Sequence, residues 1–314
     1  MKACSTGLSD MRAARQVAIF SDAPDWHARR LTSALAARGV ACHTLSLMDC
    51  AIETGAGCGL NIPGFDDALP DGALIRLISS GTLEQITLRL GMIHALEALG
   101  VPTYNDARTI ERTVDKSMTS FLLHQAGIPT PATWVTENAD QARHIVEREI
   151  AGGEKIVVKP LFGSQGNGIV LLESPELPAG ETVAGTYYLQ RYIDTGVGNW
   201  HDWRILVVGG HAIAAMIRRG KHWITNVMQG AECERVAAEG EPAALAIAAA
   251  RATGADYAGV DIVRDRDGRF LVLEVNSVPA WKGLQSVTDF DVAQAIVDDF
   301  LTGLPGKRPR AAAS

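Results

Sequence analysis

Two segments of this chain combine residue types that do chemistry on phosphates. The first runs Lys155-Ile-Val-Val-Lys159-Pro160, then Gly163-Ser164-Gln165-Gly166-Asn167-Gly168, then an apolar stretch over 169–172. Glycines let backbone N–H groups approach an anion closely, and Lys159 adds a positive charge beside them. Neither GK[ST] opening a helix nor GxGxxG between a strand and a helix occurs here, which excludes the two familiar phosphate loops. Both flanks are apolar β-like runs, so the segment reads as a hairpin flap whose amides fold over phosphates. A glycine-rich hairpin with no ligand stays open on this segment alone.

The second segment is Gly259-Val-Asp261-Ile-Val-Arg264, the turn Asp265-Arg-Asp267-Gly268, and Arg269-Phe-Leu-Val-Leu-Glu274-Val-Asn276. Asp-Gly is a strong hairpin signal, and a turn centred on Asp267-Gly268 sets Asp261 directly opposite Glu274. Strand alternation then sends Val260, Ile262, Leu271, Leu273 and Val275 to one face and Asp261, Glu274 and Asn276 to the other. Two carboxylates roughly 5 Å apart across a ladder repel each other unless a cation lies between them. Carboxylate, carboxylate and amide form an all-oxygen set suited to Mg²⁺ or Mn²⁺ and unsuited to zinc. The plainer alternative is a solvated polar face with one unfavourable pair.

These residues need a scaffold, and the flanking sequence supplies one. Residues 16–20 read as a buried strand; Trp26, Leu31, Ala34 and Leu35 recur at helical spacing up to Gly39, and strand character resumes over 40–47. The alternation returns with a strand over 73–78, a helix over 82–99 closed by Gly100, and a strand over 101–104. This is a β-α-β-α-β domain with a parallel sheet. A loop rich in Gly and Pro spans 61–72, and Asn105 or Asp106 caps a helix leading towards Lys116. Beyond residue 128 the pattern turns to hairpins over 155–160, 169–172, 188–193, 202–208 and 211–217, giving an α+β remainder. The expected units are 1–105, 106–187 and 188–304, followed by a disordered tail over 305–314. Arg76 sits in a buried-looking run and wants an anionic partner, either a substrate at the carboxyl end of its strand or a structural counter-ion.

Composition narrows the function. Among 314 residues, Lys and Arg number 29 against 36 Asp and Glu, a net charge of −7, so bulk charge attracts no nucleic acid. With 47% hydrophobic and 21% charged residues, the chain is an ordinary globular one. The longest weakly polar stretch falls well short of the roughly 20 apolar residues a membrane span needs. No apolar leader is visible at the start, and the cysteines, Cys4, Cys42, Cys50, Cys58 and Cys233, show no CxxC spacing. A reduced, cytoplasmic protein without structural zinc is expected.

Taken in order, the glycine flap, the acidic hairpin about a hundred residues later and Lys116 in Thr113-Val-Asp-Lys-Ser-Met118 resemble the ATP-grasp fold. They are closest to its RimK-like branch of glutamate ligases. Leu189-Gln-Arg-Tyr-Ile193, Asp202-Trp-Arg204, Ala214-Ala-Met-Ile-Arg-Arg219, Thr225-Asn226 and Leu273-Glu-Val-Asn-Ser-Val-Pro279 extend the likeness, while residues 1–72 carry little of it. The resemblance implies an N-terminal β/α domain, a small lid domain and a C-terminal α+β domain. It implies that Lys116 and Lys159 contact ATP phosphates under the flap, and that the hinge at Gln190, Arg191 and Tyr192 holds the adenine edge through backbone groups. Asp202 would take the ribose, Thr225 and Asn226 would lie near the phosphates, and Asp261, Glu274 and Asn276 would carry Mg²⁺. Such ligases activate a carboxylate as an acyl phosphate, which an amine attacks. Positioning and charge neutralisation dominate phosphoryl transfer, so no Ser or Cys nucleophile is required. Small-molecule substrates, glutamate with an amine or carboxylate acceptor, and a homo-oligomeric state are implied as well.

Arg204, Arg218 and Arg219 are candidates for gripping a carboxylate or acyl phosphate, because guanidinium binds planar oxyanions through two bonds. A turn at Gly209-Gly210 puts Arg219 on the face of Asp202 and Arg204, whereas the family pattern points to Arg218; a bulge would reconcile them. The chain departs from the pattern at Arg191, where an acidic residue is usual, and at Ile224 and Met228, where basic ones are. Trp200, Trp203, Trp223 and Trp281 lean towards an aromatic or apolar substrate part. The leading reading is a glutamate ligase acting on a small molecule or coenzyme precursor such as a pterin or aromatic amine. Beside it stand a ligase of a protein C-terminus, a dipeptide ligase and a non-catalytic ATP-binding module; a dehydrogenase is disfavoured by the missing dinucleotide loop.

Overall fold

The computed structural model describes residues 15–304 apart from 56, 66, 67, 164, 165, 197 and 199. The expected tail over 305–314 and the flap residues Ser164 and Gln165 lie outside the described residues. Strands β1 (Gln16–Phe20), β2 (Ala41–Leu45), β5 (Gly72–Ile75) and β6 (Thr103–Tyr104) form an all-parallel sheet in the order β2-β1-β5-β6, as the alternation predicts. A short hairpin of β3 (Ala51–Ile52) and β4 (Leu60–Asn61), absent from the sequence reading, fills the connection before β5.

Period-2 alternation splits the apolar residues of this sheet between its two faces. Val17, Ile19 and Leu74 pack with Leu31 and Leu35 of α1 (Trp26–Ala36). Ala18, Phe20 and Ile75 pack with Ile93 and Leu96 of α2 (Leu83–Ala98). Helix α1 starts where Asp25 accepts a hydrogen bond from the Ala28 amide at 2.7 Å, and α2 where Thr82 and Gln85 form a reciprocal capping box.

The polypeptide leaves this sheet at Asn105, whose fully buried side chain binds four backbone groups of the C-terminal region. Its Nδ2 donates to the Tyr257 and Ser277 carbonyls at 2.8 and 2.6 Å, and its Oδ1 accepts from the Asp256 and Tyr257 amides. Asp106, rather than Asn105, caps α3 (Ala107–Val114) through a bond from the Thr109 amide at 2.6 Å. Helix α4 (Lys116–Gln125) follows, capped by Asp115.

Strands β7 (Thr133–Thr136), β8 (Ile156–Lys159), β9 (Val170–Leu172) and β10 (Tyr187–Arg191) make an antiparallel sheet backed by α5 (Ala139–Ala151). Strand β10, which falls in the expected third unit, is paired on both sides in this sheet. The third sheet has the order β13-β12-β11-β14-β15, from β11 (His201–Val208), β12 (His211–Arg219), β13 (Glu232–Val236), β14 (Tyr257–Arg264) and β15 (Phe270–Asn276). One face packs on α6 (Gly240–Thr253) and on Leu123 of α4. After α7 (Lys282–Gln285), α8 (Val292–Gly303) returns to pack with α1 on the N-terminal sheet. A parallel sheet buries both faces, and the C-terminal helix supplies part of that cover, so core packing crosses the expected unit boundaries.

Candidate active site

The acidic hairpin turns through three residues, Arg266, Asp267 and Gly268, closed by the Asp265 amide on the Arg269 carbonyl at 2.9 Å, with Gly268 at φ +87°. That turn is one residue longer than a two-residue Asp-Gly turn, and it pairs Ile262 with Val272. A register shift beside Asp261 restores the expected opposition of Asp261 and Glu274 and of Gly259 and Asn276. The bulge also corrects one expectation: Leu273 faces the cleft beside Glu274, and Val272 takes its place in the core.

The neighbouring hairpin does turn at Gly209-Gly210, with Val208 opposite His211, but a shift between Leu206 and Val207 sets Asp202 opposite Arg218. The bulge therefore decides between the two arginines. Arg218 is buried against Asp202, whereas Arg219 lies on the outer side, half exposed and paired with Glu234 at 2.7 Å. Arg219 is not brought to the cleft, contrary to what turn parity alone predicts.

Across four strands, Met216, Arg204, Asp261 and Glu274 stand in one row, with Arg218 and Asp202 one step along the same face. Arg218 Nε donates to Asp202 Oδ1 at 2.8 Å and Nη2 to Oδ2, and Nη2 also lies 3.1 Å from Asp261 Oδ2. Arg204 donates to both Asp261 oxygens, from Nε and, at 2.8 Å, from Nη2. The repulsion that was to be relieved by a metal is thus met at Asp261 by two guanidiniums. Burial pushes the Asp261 carboxyl up, but Arg204 and Arg218 together hold it below the usual carboxylate range. At Asp202 burial prevails, helped by the nearby Asp261 charge, and its carboxyl titrates above the usual range.

A cleft of about 150 Å³ opens over this face, between the third sheet and the central one. Asp202, Arg218, Asp261 and Glu274 form its floor, and Lys159, Gln190, Arg191 and Tyr192 enter from the central sheet. Gly166, Thr225 and Asn226 line it from the flap and the loop before β13. Lys159 Nζ donates to Gln190 Oε1 at 2.7 Å, and Gln190 is held in turn by Thr133 and Tyr188, each at 3.0 Å. Burial pulls the Lys159 ammonium down to about 8, with the Glu274 carboxylate opposing that shift.

Lys116 opens α4, and its Nζ donates to the Gly163 carbonyl at 2.7 Å and the Leu161 carbonyl at 3.3 Å, tying the flap to the helix. Burial lowers its pKa, and the Glu274 and Asp115 charges counter it. Strands β8 and β9 pair as the two arms of the flap, and Gly166 and Gly168 adopt φ +73° and +71°. The flap rests on the loop before β13 through Gln229 Nε2 on the Gly166 carbonyl at 3.3 Å. Asn167 and Gly168 are exposed on its surface.

Arg191 points its guanidinium away to Glu149 at 2.6 Å, and its amide and that of Tyr192 donate to the Ala132 and Lys155 carbonyls at 2.9 and 2.8 Å. Of the four tryptophans, Trp200 and Trp223 line the cleft, with Trp223 edge-on to Tyr192 at 5.9 Å. Trp203 packs on His201 and Phe270, and Trp281 is core beside Trp26 and His27. Two of these four tryptophans thus reach the cleft, and the other two pack away from it. Ile169, Ile193 and Val263 join Val157, Ile224 and Leu273 in the apolar lining, and the sequence singles out none of the first three as site residues.

The donor set fits a hard divalent cation. Asp261 and Glu274 are opposed on the cleft floor, and Asn276 Nδ2 donates to the Gly259 carbonyl at 3.2 Å, so its amide oxygen is the atom left to coordinate. Among the described residues no cluster of three or more His, Cys, Asp or Glu side chains has metal-binding geometry.

Comparison with known proteins bears on what this cleft does. Residues 113–300 match the model of the RimK-like ATP-grasp domain. Tetrahydromethanopterin:alpha-L-glutamate ligase of Methanococcus maripaludis is 35% identical over 236 residues, covering 73% of this chain and 78% of that protein. Probable alpha-L-glutamate ligase 1 of Shewanella denitrificans is 32% identical over 300 residues, covering 90% and 96%. The ATP-grasp ligase PsnB, solved with a precursor variant, Mg and ADP, superposes with a TM-score of 0.70 at 22% identity over 92% of this chain and 98% of that one, a likeness of fold.

Proposed function

This chain belongs to the RimK-like ATP-grasp family, and from that premise we propose that it joins L-glutamate through an amide bond to a small carboxylate- or amine-bearing acceptor. It is an ATP-dependent carboxylate–amine ligase. A carboxylate oxygen attacks the γ-phosphorus of ATP, ADP leaves, and the acyl phosphate loses inorganic phosphate when the amine attacks its carbon. The observation that carries the reading is the cleft floor of Asp202, Arg218, Asp261 and Glu274, with Arg204 paired to Asp261 beside it and Lys159 entering from the other sheet.

Each group has a role that fits its surroundings. Lys159 and Lys116 are the cations available to β- and γ-phosphates, and the flap amides close over them. Arg218, held by Asp202, presents a fixed guanidinium where negative charge builds on the transferring phosphoryl group. Arg204 steadies Asp261 and is the second candidate to grip the acyl phosphate. The hinge from Gln190 to Tyr192, which lines the cleft with Trp223, is where the adenine would sit. Asp261, Glu274 and Asn276 would hold Mg²⁺, which when bound neutralises phosphate charge.

Among the described residues no helix is long and apolar enough to cross a membrane, and use of ATP and glutamate fits the cytoplasm. The test is ADP release with Mg-ATP and L-glutamate against pterins, aromatic amines, amino acids, short peptides and a metabolite extract, with products read by mass spectrometry. Release requiring both glutamate and one small acceptor is expected. Release with peptides alone would favour a peptide-tail ligase, and ATP binding without release under every mixture would favour a binding module.

A further inference from the structure

A second basic site lies at the carboxyl end of the N-terminal sheet. In the order β2-β1-β5-β6 the chain reverses its lateral direction between β1 and β5, and open α/β sheets bind ligands outside the carboxyl ends of their strands at such a switch point. Arg76 directly follows β5, with its side chain only 9% exposed. Nη1 donates to the Val278 carbonyl at 3.3 Å, while Nε is buried with no hydrogen-bond partner.

Its surroundings neutralise it only in part. The one carboxylate paired with it among the described residues, Asp25, stands 3.8 Å away, and Asp25 already accepts from the Ala28 amide. His27 Nε2 accepts from the Trp281 amide at 3.2 Å, so the neutral ring carries its proton on Nδ1, which faces Asp25 at 3.0 Å. That nitrogen, 3.3 Å from Arg76 Nη2, is then no acceptor for the guanidinium. Arg89, also buried, donates to the Ser79 and Ser80 carbonyls in the loop that follows Arg76 and has no carboxylate partner among the described residues. Arg76, buried with an unused donor and with its carboxylate partner no nearer than 3.8 Å, is the group that can take an anion, and Arg89 fixes the Ser79–Ser80 loop that follows it.

The site adjoins the reaction. Val278, which Arg76 holds, is two residues beyond Asn276 on the segment leaving the acidic hairpin. Resting on the glutamate-ligase reading above, we infer that Arg76 binds one carboxylate of glutamate that takes no part in the new amide bond, and so sets the selectivity for an acidic amino acid. The guanidinium fork and the Ser79–Ser80 loop suit a carboxylate better than a neutral amide or an alkyl group.

The experiment is steady-state ADP release by wild type, Arg76→Gln and Arg76→Lys, using L-glutamate, 4-aminobutyrate, which lacks the α-carboxylate, and L-2-aminobutyrate, which lacks the side-chain carboxylate. Wild type should strongly prefer glutamate to one of these analogues. Arg76→Gln should raise the glutamate KM about 10- to 100-fold, the size of a lost charge-assisted bond, leave that analogue's KM and the ATP KM unchanged, and so erase the preference. An unchanged glutamate KM, or an equal loss with all three compounds, would overturn the assignment while leaving the ligase reading intact. Should Arg76→Gln fail to fold, Arg76→Lys decides: a raised glutamate KM with weakened preference supports the site, and wild-type values overturn it. No glutamate-dependent release by wild type would overturn the glutamate reading and this assignment with it.

Discussion

Arg218 and Asp202 face each other across β12 and β11 and are joined by two hydrogen bonds in a buried fork, with Asp261 3.1 Å from the same guanidinium. Removing one member of a buried pair leaves an uncompensated charge, which costs about 3–5 kcal/mol. Arg218→Ala should therefore lower thermal stability markedly as well as abolish ADP release. Arg218→Lys, which keeps charge but loses the fork, should fold and still lose about 100-fold or more in kcat. Arg219→Ala removes an exposed pair and should stay within about 1 kcal/mol of wild type with near-normal turnover. Thermal melts beside ADP-release assays on the three variants would decide the assignment; equal losses for Arg218 and Arg219 would refute it.

The Glu274 side chain makes no hydrogen bond or ion pair among the described residues, whereas its cross-strand partner Asp261 is bound by two arginines. The two carboxylates should separate on substitution. Glu274→Gln should leave stability within about 0.5 kcal/mol and reduce Mg²⁺-dependent turnover about 1000-fold, because its purpose is to hold a cation rather than the fold. Asp261→Asn should lose activity and stability together. Melting curves and a Mg²⁺ titration of activity check both, and full activity in Glu274→Gln would remove that residue from the metal site.

Gly166 carries φ +73°, and a Cβ built there would sit 2.9 Å from both Ile224 Cγ2 and Gln229 Nε2. Gly166→Ala would add about 1–2 kcal/mol of left-handed strain and hold the flap off the loop it rests on. The expected result is a several-fold rise in the ATP KM and a fall in kcat, with the melting temperature little changed because Gly166, in the turn of the flap, belongs to none of the core clusters. A fluorescent nucleotide titration would read the change, and wild-type affinity would show that flap closure does not depend on this contact.

How much of this was legible in the sequence is best seen in the two hairpins. Both contain a bulge, which shifts register by one residue and cannot be read from alternation. In β14–β15 the unseen bulge cancelled an unseen third turn residue, so Asp261 opposite Glu274 came out correctly while Leu273 was sent to the wrong face. In β11–β12 the turn was right and nothing compensated the bulge, so parity favoured Arg219 over Arg218. The parallel sheet was readable because apolar runs alternate with helical periods and Gly stops. Its cover by α8 was not, since a helix contributed from the far end of the chain leaves no local signal. Nor did spacing reveal that Asp261 would find arginines on both sides, a consequence of which strands become neighbours.

Lys159 supplies a pH signature. Burial pulls its ammonium from 10.5 to about 8, so between those values the unfolded chain holds a proton that the folded chain lacks, and this group makes stability rise with pH across that window. Nucleotide binding should run the other way. Phosphates favour the ammonium form, so binding at pH 9 must take up a proton, and above about pH 8 the affinity for Mg-ADP should fall by up to tenfold per pH unit. Calorimetric titrations at pH 7, 8 and 9 in buffers of different ionisation enthalpy would measure both the slope and the proton uptake. Lys159→Met, nearly isosteric and uncharged, should bind more weakly at pH 7 and lose the slope between pH 8 and 9. If the variant keeps the wild-type slope, another group titrates on binding and Lys159 does not meet the phosphates.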